Sequence, residues 1–175
     1  MPSELTTLTT HSLRIVFFSV GRHVEQRIEC RSGDLFLPAL ASLEGNAENH
    51  WPTSPALQSV HVESRPEGKV ALLVGMAGTS HWSASVLADT KHDQIVFDIA
   101  CRVKTEPRWL GSSYRLLNSE SRISSSDQWP VQIAPLPPLR VETNDEQISL
   151  VAPLEAGPLP RTVCWQYAIS PVKSD

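Results

Sequence analysis

The chain has 175 residues, of which 41% are hydrophobic and 19% are charged, a composition typical of a folded globular protein rather than a disordered one. The formal net charge is −4, and the sequence has no basic stripe of the kind that a phosphate backbone requires, so we expect no nucleic-acid partner. No segment is long and apolar enough to span a bilayer, so we expect no membrane partner either.

Cysteine and histidine usage gives no metal-binding motif. The three cysteines, Cys30, Cys101 and Cys164, are far apart, and none belongs to a CxxC pair. The six histidines show no helical or strand spacing typical of metal ligands, so we expect no metal site and no cofactor. Free thiols, together with an N-terminus that lacks the basic and apolar regions of a secretory leader, favour the cytoplasm.

The N-terminal third of the chain begins with a polar, threonine-rich segment, residues 1–11, which we expect to be a loose arm. The remainder, residues 12–175, is predicted to form a single β-sandwich domain. Strands are predicted over Leu13–Val20, over the alternating segment His23–Cys30 and over Leu57–Glu63.

One short helix is predicted at Leu35–Gly45. Pro38 suits the first turn of a helix, Leu40 and Leu43 have helical spacing, and Gly45 suits a helix end. The fourteen prolines of the chain otherwise argue against helices and for strands joined by turns.

The central stretch predicts three consecutive strands. Lys69–Met76 is a continuous apolar run, and Gly75 and Gly78 are typical of a tight turn with positive φ. Alternation of apolar residues begins at Ser80 and resumes over Ile95–Val103, after a polar turn at Asp89–Asp93. These two strands predict a hairpin whose buried face holds Trp82, Ala84 and Val86 with Ile95, Phe97 and Ile99.

The opposite face of this hairpin holds the candidate catalytic residues. If the apolar residues share one face, the other face collects His81, Ser83, Ser85, Asp98 and Arg102. His81, Ser83 and Asp98 are residue types that can form a nucleophile, base and orienting carboxylate, provided that they lie within mutual reach. The sequence has no Gly-x-Ser-x-Gly motif to support such a triad, so we expect no enzymatic activity.

The C-terminal third predicts further short strands, at Ser112–Leu117, Val131–Ile133, Leu139–Thr143, Gln147–Val151 and Thr162–Ser170. About ten short strands separated by turns indicate an all-β fold. The prediction is an antiparallel β-sandwich, jelly-roll or immunoglobulin-like, or a distorted barrel, with at most one short helix.

Candidate ligand-binding residues come from the five tryptophans and one arginine. Trp82 and Trp165 lie in alternating strands and are predicted to be core residues. Trp51, Trp109 and Trp129 lie in loops, where planar rings stack on sugars or anchor a partner, and Arg102 is the cation of the hairpin's polar face.

The leading functional hypothesis is a non-enzymatic binding or protein-interaction module with an unknown protein or carbohydrate ligand. A small hydrolase using His81, Ser83 and Asp98 is the first alternative. The second is an accessory domain that forms a homo-oligomer through an edge strand.

Overall fold

The structure is a computed structural model that describes residues 2–45, 48–117 and 130–172. Within these ranges the chain forms strands and no helix, so the all-β prediction is confirmed and no described helix could cross a bilayer. The strands are β1 (Ser3–Thr9), β2 (Leu13–Val20), β3 (His23–Ser32), β4 (Leu35–Ser42), β5 (Ser59–Arg65), β6 (Gly68–Ala77), β7 (Ser80–Asp89), β8 (Gln94–Val103), β9 (Gly111–Leu116), β10 (Val131–Pro135), β11 (Arg140–Thr143), β12 (Gln147–Val151) and β13 (Arg161–Pro171).

The strands form two antiparallel sheets. Sheet A has seven strands in the order β1-β2-β3-β4-β9-β12-β11, and sheet B has six in the order β10-β13-β8-β7-β6-β5. Neither sheet closes into a barrel, so the sandwich is the form of the prediction that holds. Strands β1–β4 and β5–β8 are neighbours both in sequence and in space, because each is joined to the next by a short turn.

The predicted face of the β7–β8 hairpin is confirmed. Ala84 lies opposite Ile99 and Val86 lies opposite Phe97, and all four side chains are buried. Trp82, two residues earlier on the same face, is also buried. This face lies against the inner face of sheet A, and the buried residues of both sheets form one hydrophobic cluster.

Three aromatic rings and one amide connect the two sheets at the centre of this cluster. Phe97 stacks on Tyr167 with a centroid distance of 4.6 Å and an interplanar angle of 9°. The hydroxyls of Tyr114 and Tyr167 are 2.6 Å apart, and the Gln26 side-chain amide donates to the Tyr114 hydroxyl at 3.0 Å. Burial raises the pKa of both tyrosines, which therefore remain neutral hydrogen-bonding groups.

The predicted helix at Leu35–Gly45 is wrong, because most of this segment is strand β4, between β3 and β9. The pairing of β3 with β4 shifts between Ile28 and Glu29, whose partners are Leu40 and Pro38, so Ala39 is the extra residue of a bulge. A bulge accommodates proline, which has no N–H to donate to the ladder. The pairing of β4 with strands on both of its sides therefore outweighs the helical spacing of Leu40 and Leu43.

The expectation of a loose arm over residues 1–11 is also wrong. Ser3–Thr9 forms β1, which pairs with β2, and Leu8 is fully buried. Threonines at half-buried positions are favourable in strands, because their branched side chains fit a pleated surface.

The two glycines assigned to one turn have different roles. Gly78 lies in the β6–β7 turn with φ of 56°, as predicted. Gly75 lies inside β6, where a Cβ would overlap the carbonyl oxygen of Ala56. Gly75 therefore allows the connection between β4 and β5 to lie close against sheet B.

The outer face of sheet A carries an ion-paired aromatic surface, which we call the arginine–phenylalanine face. Its members are Arg14, Phe18, Arg27, Glu29, Arg31 and Phe36. The Glu29 side chain is only 2% exposed, and its carboxylate accepts hydrogen bonds from Arg14 and, at 2.8 Å, from Arg27. The guanidinium groups of Arg14 and Arg31 each lie 4.6 Å from the centre of the Phe36 ring. These arginines therefore also pack on an aromatic side chain.

Candidate functional site

One end of the sandwich collects connections from both sheets. They are residues 43–58, between β4 and β5, residues 104–110, between β8 and β9, and the turn between β6 and β7. The first two bring Trp51 and Trp109 to the same open depression, which has a volume of about 610 Å³. We call this the tryptophan depression; its lining residues are Glu48, Asn49, His50, Trp51, Thr105, Glu106, Arg108 and Trp109.

Residues 48–58 hold Trp51 in place through one hydrogen bond within the loop and two between Ser54 and sheet A. The Ser54 hydroxyl donates to the Ser113 carbonyl at 3.1 Å and accepts the Ser113 N–H at 3.3 Å. The Trp51 N–H donates to the Asn49 side-chain oxygen at 3.0 Å, and the half-buried indole packs against the core. The loop therefore presents this ring without a large ordering cost on binding.

Trp109 is held by its neighbours in the chain. Pro107 and Leu110 are buried, and the Leu110 carbonyl accepts the N–H of Ala152 at 2.9 Å. A Cβ at Gly111 would lie 2.9 Å from Cη2 of Trp109, so the tip of the indole lies directly over this glycine. Glycine at this position therefore provides the space that the ring occupies.

The rim of the tryptophan depression is polar, and one of its carboxylates pairs with a residue outside the lining. Both terminal nitrogens of Arg161, on β13, donate to the Glu106 carboxylate, at 3.1 and 2.6 Å. This hydrogen bonding lowers the pKa of Glu106, which is therefore a carboxylate at neutral pH, and raises the pKa of Arg161. Arg108 makes no hydrogen bond or ion pair with another described residue, so its guanidinium is available to a ligand.

His50, in the first connection, completes the rim and lies against the third. A Cβ at Gly78 would lie 2.9 Å from Cγ of His50, so the imidazole rests on the β6–β7 turn. The described residues include no group of three or more His, Cys, Asp or Glu that could hold a metal ion. The depression therefore offers hydrogen-bonding groups and aromatic surface.

The candidate catalytic residues lie elsewhere, on the outer face of sheet B. His81, Ser83 and Asp98 are exposed on this face, as alternation predicts. His81 lies opposite Arg102, whereas Asp98 lies opposite Ser85. These two pairs are four residues apart along the strands, a separation of about 13 Å.

The expectation that His81, Ser83, Asp98 and Arg102 all lie within mutual reach is therefore wrong, because His81 lies opposite Arg102 but Asp98 is four residues away from that pair. Asp98 is too distant to orient His81, and none of these side chains forms a hydrogen bond or ion pair within the described ranges. Alternation fixes the face of a residue, but the position along the strand depends on the register of the hairpin.

The predicted ligand-binding residues are divided between two places. Trp51 and Trp109 line the tryptophan depression, but Arg102 lies in a separate one of about 570 Å³ on the outer face of sheet B. Trp129 lies outside the described residues. Trp82 and Trp165 are buried, as predicted, and the Trp165 indole N–H donates to the Ser112 hydroxyl at 3.0 Å.

Glu44 is a perturbed carboxyl that the sequence did not single out. It follows β4, is half-buried, and lines a depression of about 240 Å³ with Arg22 and His23. Burial raises the pKa of Glu44 to about 7, the Glu25 carboxylate adds to the rise, and a hydrogen bond with Ser42 opposes it. Alternation and spacing could not reveal this, because the burial of Glu44 and its proximity to Glu25 come from chain segments that are distant in the sequence.

Comparisons of the chain with protein-family models, curated proteins and solved structures gave no match. The side chains of the tryptophan depression are therefore the features from which a function can be inferred. Two of them, Trp51 and Trp109, are the loop tryptophans that the sequence identified as ligand-binding candidates.

Proposed function

We propose that this protein is a non-enzymatic binding module that takes a neutral carbohydrate in the tryptophan depression. The observation that carries the proposal is the convergence of Trp51 and Trp109, from two separate connections, on one open depression. The electron-rich face of an indole attracts the C–H groups of a sugar ring, and its large area contributes binding energy at little entropic cost. The volume, about 610 Å³, lies in the range of small-molecule sites.

The charge balance of the rim supports a neutral ligand. The lining residues Glu48 and Glu106 contribute two carboxylates and Arg108 contributes one guanidinium, and Arg161, from outside the lining, pairs with Glu106. An anionic or cationic ligand would gain little from such a balanced surface. Hydroxyl groups both donate and accept hydrogen bonds, so a sugar can use the Arg108 guanidinium and the Thr105 hydroxyl together.

Glycan-array screening of the intact chain, followed by calorimetric titration of each neutral glycan that binds, tests the proposal. Trp109→Ala should weaken binding at least about tenfold, which corresponds to about 1.4 kcal/mol. Trp109→Phe should retain part of the affinity, because phenylalanine keeps an aromatic face. Trp109 is the better target, since Trp51 also packs against the core.

Arg102→Ala is the control, because Arg102 is exposed in a separate depression, on the outer face of sheet B. It should leave glycan affinity unchanged, and circular dichroism should show the same fold in all variants. The proposal fails if no neutral glycan binds, or if Trp109→Ala binds as well as the unchanged protein. Loss of affinity in Arg102→Ala alone would move the site to the outer face of sheet B.

A further inference from the structure

The edges of the two sheets differ in how well they are protected from pairing with another strand. Among the described strands, β1, β11, β10 and β5 are the edges. The pairing of β1 shifts between Glu4 and Thr6, β11 has four residues, and β10 has five and ends at Pro135. A bulge, shortness and proline are devices that discourage edge pairing.

Strand β5 has none of these devices. All seven residues, Ser59–Arg65, pair with β6 in an unbroken register, and the strand contains no proline. Its other side pairs with no described strand, so its backbone N–H and C=O groups are in the order that a further antiparallel strand would need. Val60 and Val62 face the core of the sandwich, whereas His61 and Glu63 face outward.

We propose that β5 pairs with β5 of a second copy of this chain, antiparallel, about a two-fold axis centred on Val62. The two six-stranded sheets then become one continuous sheet, and the interface is isologous. His61 lies opposite Glu63 of the second copy, and Glu63 lies opposite His61 of the second copy. Val62 meets its own equivalent on the inner face.

The side chains select this register over its neighbours. Opposed residues of an antiparallel pair lie on the same face, so a two-fold axis must pass through a residue. An axis at Glu63 would oppose two like carboxylates and would place His61 against Arg65. An axis at His61 would oppose two imidazoles. An axis at Ser64 would pair Glu63 with Arg65 twice, but only three residues of each β5 would then overlap. The Val62 axis pairs an acidic side chain with a basic one twice and overlaps all seven residues of the strand.

The resulting dimer should be weak and dependent on concentration. A pair of seven-residue strands buries less surface than a standard stable interface. Glu63 already has an exposed ion pair with Arg65, 3.5 Å apart, which the new pairing must replace. This inference does not depend on the carbohydrate proposal, because β5 does not line the tryptophan depression.

Sedimentation velocity of the full chain, from low micromolar to millimolar concentration at neutral pH, tests the inference. The unchanged protein should shift from monomer to dimer. His61→Glu places carboxylates opposite each other twice, and should raise the dimer dissociation constant at least about tenfold. The double variant His61→Glu with Glu63→Lys restores opposite charges and should recover dimerisation.

The control is His81→Glu, which makes the same charge change on an exposed residue of β7, inside the sheet. It should leave the dissociation constant unchanged. The inference is overturned if the protein remains monomeric throughout, if His61→Glu dimerises as well as the unchanged chain, or if His81→Glu weakens the dimer equally. A dimer that the double variant fails to restore would overturn the Val62 register.

Discussion

The outer faces of the two sheets differ in the burial and the pairing of their carboxylates. On sheet A, Glu29 is almost fully covered and is bound by two arginines, within the arginine–phenylalanine face. On sheet B, Asp98 is exposed and has no hydrogen-bond or ion-pair partner among the described residues. Both carboxylates lie at outward positions of alternating strands, so alternation does not distinguish them.

Register explains the difference. Arg14 lies directly opposite Glu29 in the β2–β3 pair, and Arg27 lies two residues away on the same face. Asp98 lies opposite Ser85, and Arg102 is four residues away. Opposed residues have Cβ atoms about 5 Å apart, within the reach of an ion pair, whereas a displacement of four residues is not. Charged side chains on a sheet face therefore form ion pairs only where residues of opposite charge lie directly opposite each other, or nearly so, on neighbouring strands.

The largest expected effect concerns the layer beneath the outer face of sheet B. Phe97 is fully buried one residue from Asp98, and it stacks on Tyr167. Phe97→Ala should lower the free energy of unfolding by about 3–5 kcal/mol, through lost transfer energy and a residual cavity. Urea denaturation measures this change. A loss below about 1 kcal/mol would mean that Phe97 is not on the buried face of β8.

The second expected effect compares the two carboxylates. Glu29→Ala leaves Arg14 and Arg27 without their shared acceptor, and should lower the free energy of unfolding by about 2–3 kcal/mol. The value lies below that of a fully buried pair, because the two arginine side chains are 35% and 37% exposed.

Asp98→Ala is the control for this comparison, since it removes an exposed carboxylate from the other sheet. It should change the free energy of unfolding by no more than about 0.5 kcal/mol. Equal losses from the two substitutions in the same denaturation experiment would contradict the contrast between the two faces.

Much of the fold could be predicted from the sequence, because alternation survives in most strands. The boundaries of β2 and the buried face of β7 and β8 follow from local pattern and short turns. The identity of β4 could not be predicted in this way, because its strand conformation depends on pairing with β3 and β9, which are separated from each other by many residues.

The candidate site was predictable only in part. Loop position and residue type identified Trp51 and Trp109, but no local pattern indicates that their two connections meet at one end of the sandwich. The Arg14–Glu29 pair was within reach of the sequence, because the two-residue turn at Gly21–Arg22 fixes which residues of β2 and β3 are opposed. The same counting across the turn at 90–93 places Asp98 away from His81.

The smallest expected effect concerns Glu44. The carboxyl groups of Glu44 and Glu29 are both poorly solvated, but different side chains surround them. Glu29 has two arginines, whereas the neighbours that act on Glu44 are the Ser42 hydroxyl and the Glu25 carboxylate. Burial accordingly raises the pKa of Glu44 to about 7 from an ordinary value of 4.5. The folded protein binds this proton more tightly than the unfolded chain does. The resulting stabilisation is fully present below pH 4.5 and is lost as the pH rises through about 7.

Glu44→Gln removes this titration while keeping an acceptor for the Ser42 hydroxyl. The variant should gain about 1–3 kcal/mol of unfolding free energy relative to the unchanged protein as the pH is raised from 4 to 8. Denaturation of both proteins at the two pH values measures the gain, and titrating groups common to both proteins cancel in the difference. Glu142→Gln, which makes the same substitution at an exposed position of β11, is the matched control. A constant difference between Glu44→Gln and the unchanged protein would mean that Glu44 is solvated like an ordinary surface carboxylate, and that only the arginine-bound Glu29 is withdrawn from water.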